Sequence, residues 1–123
     1  MRFLPPVALA IAALAGCYPD PAPGAARPVC PLRIGFSSYA MGIDLGAYRA
    51  VEALLAGDPA VTGVRRSSAG REGETELCVQ VRREADAERL FRAVAARFPA
   101  DPRGPLTVAT ASGLRFESPP RPR

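Results

Sequence analysis

Between the apolar run ending at Phe36 and the first helical pattern lies Ser37-Ser38-Tyr39-Ala40-Met41-Gly42-Ile43-Asp44. It brings two hydroxyls, a phenol and a carboxylate to the start of a helix, where free backbone amides can receive an anion. Two functions follow from those residue types. One is a small hydrolase centred on Ser37, Ser38, Tyr39 and Asp44; the other is capture of a small anionic ligand. What the chain lacks restricts both. It contains no His, Lys, Asn or Trp, so no imidazole or lysine amine can activate a serine, and a hydrolase would need a carboxylate-assisted scheme. The charge of Asp44 opposes a bound anion, and its type and position suit a helix N-cap. The same segment therefore also reads as a structural strand-to-helix loop, with Tyr39 packed at the sheet edge.

The N-terminus carries a different kind of chemistry. Met1-Arg2 is a short positive start, and Phe3 to Ala13 is almost wholly apolar. A membrane-spanning helix needs about 20 apolar residues, whereas a secretory signal core of roughly 7–15 fits this run. It ends in Leu14-Ala15-Gly16-Cys17. That tetrapeptide, placed after such a core, resembles the lipobox of bacterial lipoproteins. The resemblance covers residues 1–17 and implies cleavage before Cys17, with acylation of its sulfur and of the new amine. Two or three acyl chains, at about 0.8 kcal/mol per buried CH₂, hold a protein on a membrane where one does so only marginally. Residue 18 is Tyr rather than Asp, which by the family's sorting rule favours the outer membrane over the inner one. The expected organisation is a signal peptide at 1–16, a lipidated Cys and Pro-rich tether at 17–30, a folded domain at 31–117 and a disordered tail at 118–123. Prolines at 19, 21, 23, 28 and 31 favour an extended polyproline II tether, reaching roughly 35 Å from the lipid.

Charge excludes further classes. There are 16 basic residues, all Arg, against 12 acidic, a formal +4. Within 31–117 the balance is twelve Arg against eleven Asp and Glu, only +1. A nucleic-acid binder needs clustered positive charge and usually stacking aromatics; here Arg65-Arg66 and Arg82-Arg83 are offset by Glu72, Glu74, Glu76 and Glu84. The alternation of Glu with Arg around residues 71–76 reads as a solvated charge ladder and is poor for calcium, which wants converging oxygens. No cofactor, metal or nucleic acid is expected.

The elements that must position the loop follow from periodicity. Leu32, Ile34 and Phe36 alternate with Arg33, Gly35 and Ser37, a half-buried strand. Ile43, Ala47, Val51, Leu54 and Leu55 share one helical face, stopped by Gly57-Asp58-Pro59. Residues 60–67 read as a β-type run, 69–73 as a hairpin loop, and Glu74 to Arg82 as a strand with one wet face. A second helix is expected from about Asp86 to Phe98, with Ala87, Leu90, Phe91, Val94 and Phe98 inward. A last strand at Leu106–Thr110 turns at Ser112-Gly113 into an edge hairpin with Leu114 and Phe116. The order β-α-β-β-α-β is an α+β split βαβ arrangement and resembles the ferredoxin-like fold: an antiparallel sheet with two helices on one face. That fold names no function, and three of its familiar uses do not match. Acyl-phosphate hydrolases of this shape use an Asn, metal carriers a first-loop C-x-x-C, and RNA binders aromatics on strands that here present Glu76, Cys78 and Gln80.

If Cys17 is acylated, Cys30 and Cys78 remain as a pair in an oxidising compartment. Pairing 30 with 78 also sets 34 opposite 74. Strict alternation, however, puts Cys30 with core-facing Leu32 and Cys78 with exposed Glu76, so either Pro31 breaks the alternation or the two thiols stay free. The sequence thus points to a lipid-anchored envelope protein with a small, non-catalytic binding or assembly domain. Its expected contact surface is Arg33 and Gln80 of the wet sheet face together with Ser37, Ser38, Tyr39 and Asp44, and its expected partners are the membrane, through the anchor, and an envelope protein.

Overall fold

A computed structural model describes residues 29–122; the readings of the signal segment, of Cys17 and of the tether before Val29 lie outside the described residues. Seven elements follow one another: β1 (Leu32–Phe36), α1 (Leu45–Ala56), β2 (Val61–Ala69), β3 (Glu74–Val81), α2 (Glu84–Ala95), β4 (Leu106–Thr110) and β5 (Arg115–Ser118). The strands form one antiparallel sheet in the order β2-β3-β1-β4-β5. The first six elements are those of the expected α+β split βαβ arrangement, and β5 extends the sheet beyond β4. Among the described residues no helix is long and apolar enough to cross a membrane.

The alternating apolar residues explain the layers. Leu32, Ile34 and Phe36 of β1, Leu77 and Val79 of β3, and Leu106 and Val108 of β4 are buried on one face. Against them lie Ala47, Tyr48, Val51 and Leu55 of α1 and Leu90 and Val94 of α2. Tyr48 was not among the residues expected on the inner face of α1; its ring meets Phe36 edge-on, with centroids 5.0 Å apart. Opposite the helices, Arg33, Glu76, Cys78, Gln80, Thr107, Arg115 and their neighbours make a sheet face that no helix covers among the described residues.

Local boundaries differ from the sequence expectation for identifiable reasons. Helix α2 starts at Glu84, two residues before Asp86, although Arg83 offers no side-chain cap; Glu84 and Asp86 in its first turn instead complement the positive end of the helix dipole. It closes at Ala95, and the Arg97 and Phe98 N–H groups bond back to the Val94 and Ala95 carbonyls in a tighter last turn. Strand β2 runs on to Ala69 because β3 pairs with it all the way to Glu74. The turn is only Gly70–Gly73, and both of those glycines have φ of +76°, a conformation that disfavours a Cβ. Gly57 caps the end of α1 in a right-handed conformation, φ −89°, its N–H donating to the Ala53 carbonyl. Just beyond it the Asp58 carboxylate accepts from the Ala60 N–H at 2.9 Å and from both terminal guanidinium nitrogens of Arg89 at 2.8 and 3.0 Å. Ser118, assigned from sequence to the tail, is the last residue of β5, buried, with its hydroxyl donating to the Pro99 carbonyl.

Cys30 and Cys78 form a disulfide, with Cα atoms 5.3 Å apart. The register around it is corrected: Ile34 lies opposite Leu77 rather than residue 74, and Cys78 lies opposite Arg33. Pro31 takes the chain out of the line of β1, so Cys30 reaches Cys78 on the open face by a diagonal path. The parity conflict noted in the sequence is resolved in that way.

Candidate functional site

The segment 37–44 leaves the C-terminal end of β1 and is tied at Ser37, Ser38, Gly42 and Asp44. The Ser37 N–H donates to the Pro105 carbonyl at 2.9 Å. The Ser38 N–H donates to the Glu74 carboxylate at 3.4 Å, and the Ser38 hydroxyl accepts from the Gly42 N–H at 3.0 Å. Gly42 turns the chain with φ +92°. Gly104 lies so close beneath the loop that a Cβ there would strike the Ser37 carbonyl. The loop is therefore a preformed shape.

Asp44 closes it. One carboxylate oxygen accepts from the Ala47 N–H at 3.0 Å and the other from the Arg103 N–H at 2.9 Å. These bonds, led by the one from Ala47, hold its pKa below the ordinary aspartate value. Such a carboxylate is a weak base, and it already occupies the helix N-terminus that an anion would use. Among the described residues neither a serine hydroxyl of the loop nor the Tyr39 phenol donates to a carboxylate. What the loop offers to solvent is apolar surface: Met41 is 96% exposed, Tyr39 61% and Leu45 55%.

The residues expected to form one contact surface fall into two places. Ser37 and Tyr39 line a hollow of about 340 Å³ with Thr107, Glu117 and Pro119–Pro122. Arg33 and Gln80 lie on the open sheet face: Arg33 pairs with Glu76 at 3.3 Å, and the Gln80 amide contacts the Cys78 sulfur at 3.8 Å. Among the described residues no cluster of three or more His, Cys, Asp or Glu side chains converges. Sequence reasoning missed Met41 and Leu45 as displayed groups, and it missed the tie from Asp44 to Arg103. A large apolar residue inside an aperiodic segment was the one available signal for the first two.

One expected result follows directly. Asp44→Ala removes the N-cap and lowers stability by about 1 kcal/mol, with a further loss from the Arg103 tie; Asp44→Asn, which can still cap, loses less. Because the folded-state pKa is depressed, the contribution of the carboxylate is present above the unfolded aspartate range and is lost as pH falls through the folded value. Denaturant titrations of wild type and Asp44→Ala at pH 7 and near pH 3 will therefore show a gap that narrows in acid. A constant gap contradicts the assignment.

The molecule is thus a small α+β domain, a five-stranded antiparallel sheet with two helices on one face. No protein-family model matches the chain, and neither a curated protein nor a solved structure matches it.

Proposed function

We propose that the protein is a bacterial cell-envelope lipoprotein, anchored through Cys17, whose domain is a non-catalytic binding or assembly module. The anchor rests on the lipobox-like Leu14-Ala15-Gly16-Cys17 after an apolar signal core, with the outer membrane favoured by Tyr18 and the domain in the periplasm. The module reading rests on one observation. The loop 37–44 is fixed by backbone bonds that use up its carboxylate, while Tyr39 and Met41 stand in solvent. Exposed side chains on a loop fixed in this way suit protein recognition, because little backbone ordering entropy remains to be lost on binding. Topology agrees with that use. The chain enters β1 at Leu32 and reaches the loop at its other end, so the point where a tether would join and the loop lie at opposite ends of that strand.

Metabolic labelling with palmitate, followed by mass spectrometry of the N-terminal peptide, tests the anchor. The wild type is expected to begin at Cys17 and carry acyl mass, and Cys17→Ser to carry none; an unlabelled wild type starting elsewhere overturns it. A photo-crosslinking residue at position 41 tests the module. A discrete adduct that weakens in Tyr39→Ala cells supports it, and crosslinking no stronger than from exposed position 92 on α2 counts against it.

A further inference from the structure

Strand β2 is nine residues long and, among the described residues, pairs on one side only, with β3. Its other side ends the sheet, leaving a row of main-chain donors and acceptors of the kind an extended chain can join. A groove of about 450 Å³ runs beside it under α1, lined by Tyr48, Val61, Val64 and Leu77 and also by the carboxylates of Glu52 and Asp58, the latter held by Arg89. Val64 points to the helix side yet is 47% exposed, because α1 does not cover this end of the sheet. The middle of the strand is cationic on both faces. Arg65 lies on the open face opposite Cys78 and has no carboxylate within 4.0 Å among the described residues. Arg66 lies on the groove side, its guanidinium 5.2 Å from the centre of the Tyr48 ring.

We propose that this edge is a docking site for an extended acidic segment of a partner protein, added to the sheet as a sixth strand. A second copy of the chain is a poorer occupant, because antiparallel pairing of β2 with itself about its middle sets arginine against arginine. An acidic strand turns the same two residues from a barrier into a selector. The register states the chemistry. In the antiparallel sense that every pair of this sheet uses, the partner presents an acidic residue to Arg66 in the groove and another to Arg65 on the open face. An apolar residue next in sequence then drops onto Val64. The site is separate from the loop 37–44 and does not depend on the lipid anchor.

The test uses the full chain and two fluorescent octapeptides, Thr-Val-Thr-Glu-Glu-Val-Thr-Val and the same sequence with Lys-Lys at its centre. In low salt the Glu-Glu peptide is expected to bind about tenfold more tightly than the Lys-Lys peptide, with new amide-exchange protection confined to β2. Arg65→Glu, at an exposed position that tolerates the change, is expected to cut the preference, and Arg65→Glu with Arg66→Glu to reverse it. Equal binding of both peptides, or binding without protection of β2, overturns the proposal. So does a concentration-dependent dimer in sedimentation that protects β2 by itself, which assigns the edge to a second copy.

Discussion

Cys78→Ser is expected to lower the free energy of unfolding by about 4 kcal/mol, and a reductant to do the same to the wild type while leaving the variant unchanged. The argument is mainly about the unfolded chain. The bridge spans a sequence separation of 48, and opening a loop of that length restores chain entropy worth about 4 kcal/mol at room temperature. Native contacts change little. The Pro31 carbonyl still accepts from the Ala111 N–H at 3.1 Å, so β1 keeps its place and only Val29 and Cys30 come loose. Cys30→Ser should therefore match Cys78→Ser closely in denaturant midpoint, although Cys78 is the buried partner. A midpoint for Cys78→Ser equal to the oxidised wild type, or a wild type indifferent to reductant, contradicts this.

The disulfide also shows how sequence information runs out. That Cys30 and Cys78 could pair followed from cysteine arithmetic and from both lying at neighbouring strands. The register did not, because Pro31 lets the chain step sideways by an amount no alternation encodes. Strands β1 and β3 were legible for a plain reason: each has one face toward the helices and one toward water, so period two is imposed on the sequence. Strand β2 was less so. A register shift between Val61 and Gly63 changes the parity of its inward residues, Val61 and Val64 fall three apart, and most of its length is exposed on both faces. Its end and its inner face were therefore set by pairing with β3 rather than by pattern. At the loop, Asp44 as a cap was readable from a carboxylate before a helical repeat. Its second bond, to Arg103, joins residues 59 apart and depends on how the α2–β4 connection folds back. The exposure of Tyr39 and Met41 is likewise a result of tertiary fit.

Phe36→Ala is expected to cost about 3–5 kcal/mol, against a total of about 5–14 kcal/mol for a domain of this size. Phe36 is 1% exposed and ends the central strand, with β3 on one side and β4 on the other. Its ring is the edge-on partner of Tyr48, at an interplanar angle of 77°, so its removal empties space between the sheet and α1 that neither neighbour can fill without moving backbone. Phe36→Leu keeps most of the volume and should lose much less. Tyr48→Phe separates ring from hydroxyl. Burial, then hydrogen bonding to Glu52, raises the pKa of the Tyr48 phenol, so its neutral form stabilises the fold below the ordinary tyrosine range. That contribution is lost as pH rises through the raised value; Tyr48→Phe should remove it, lowering stability at neutral pH and flattening the alkaline fall. A Phe36→Ala midpoint close to that of wild type would show that α1 is held by other contacts. The consequence for the proposed recognition loop is direct, because Ser37 follows Phe36 and the loop starts from it. In Phe36→Ala the Gly42 and Ala47 amides, bonded to Ser38 and Asp44, should exchange faster than the β3 amides. Tyr39 and Met41 would then be displayed from a looser frame, and their crosslinking should weaken even where the domain remains folded.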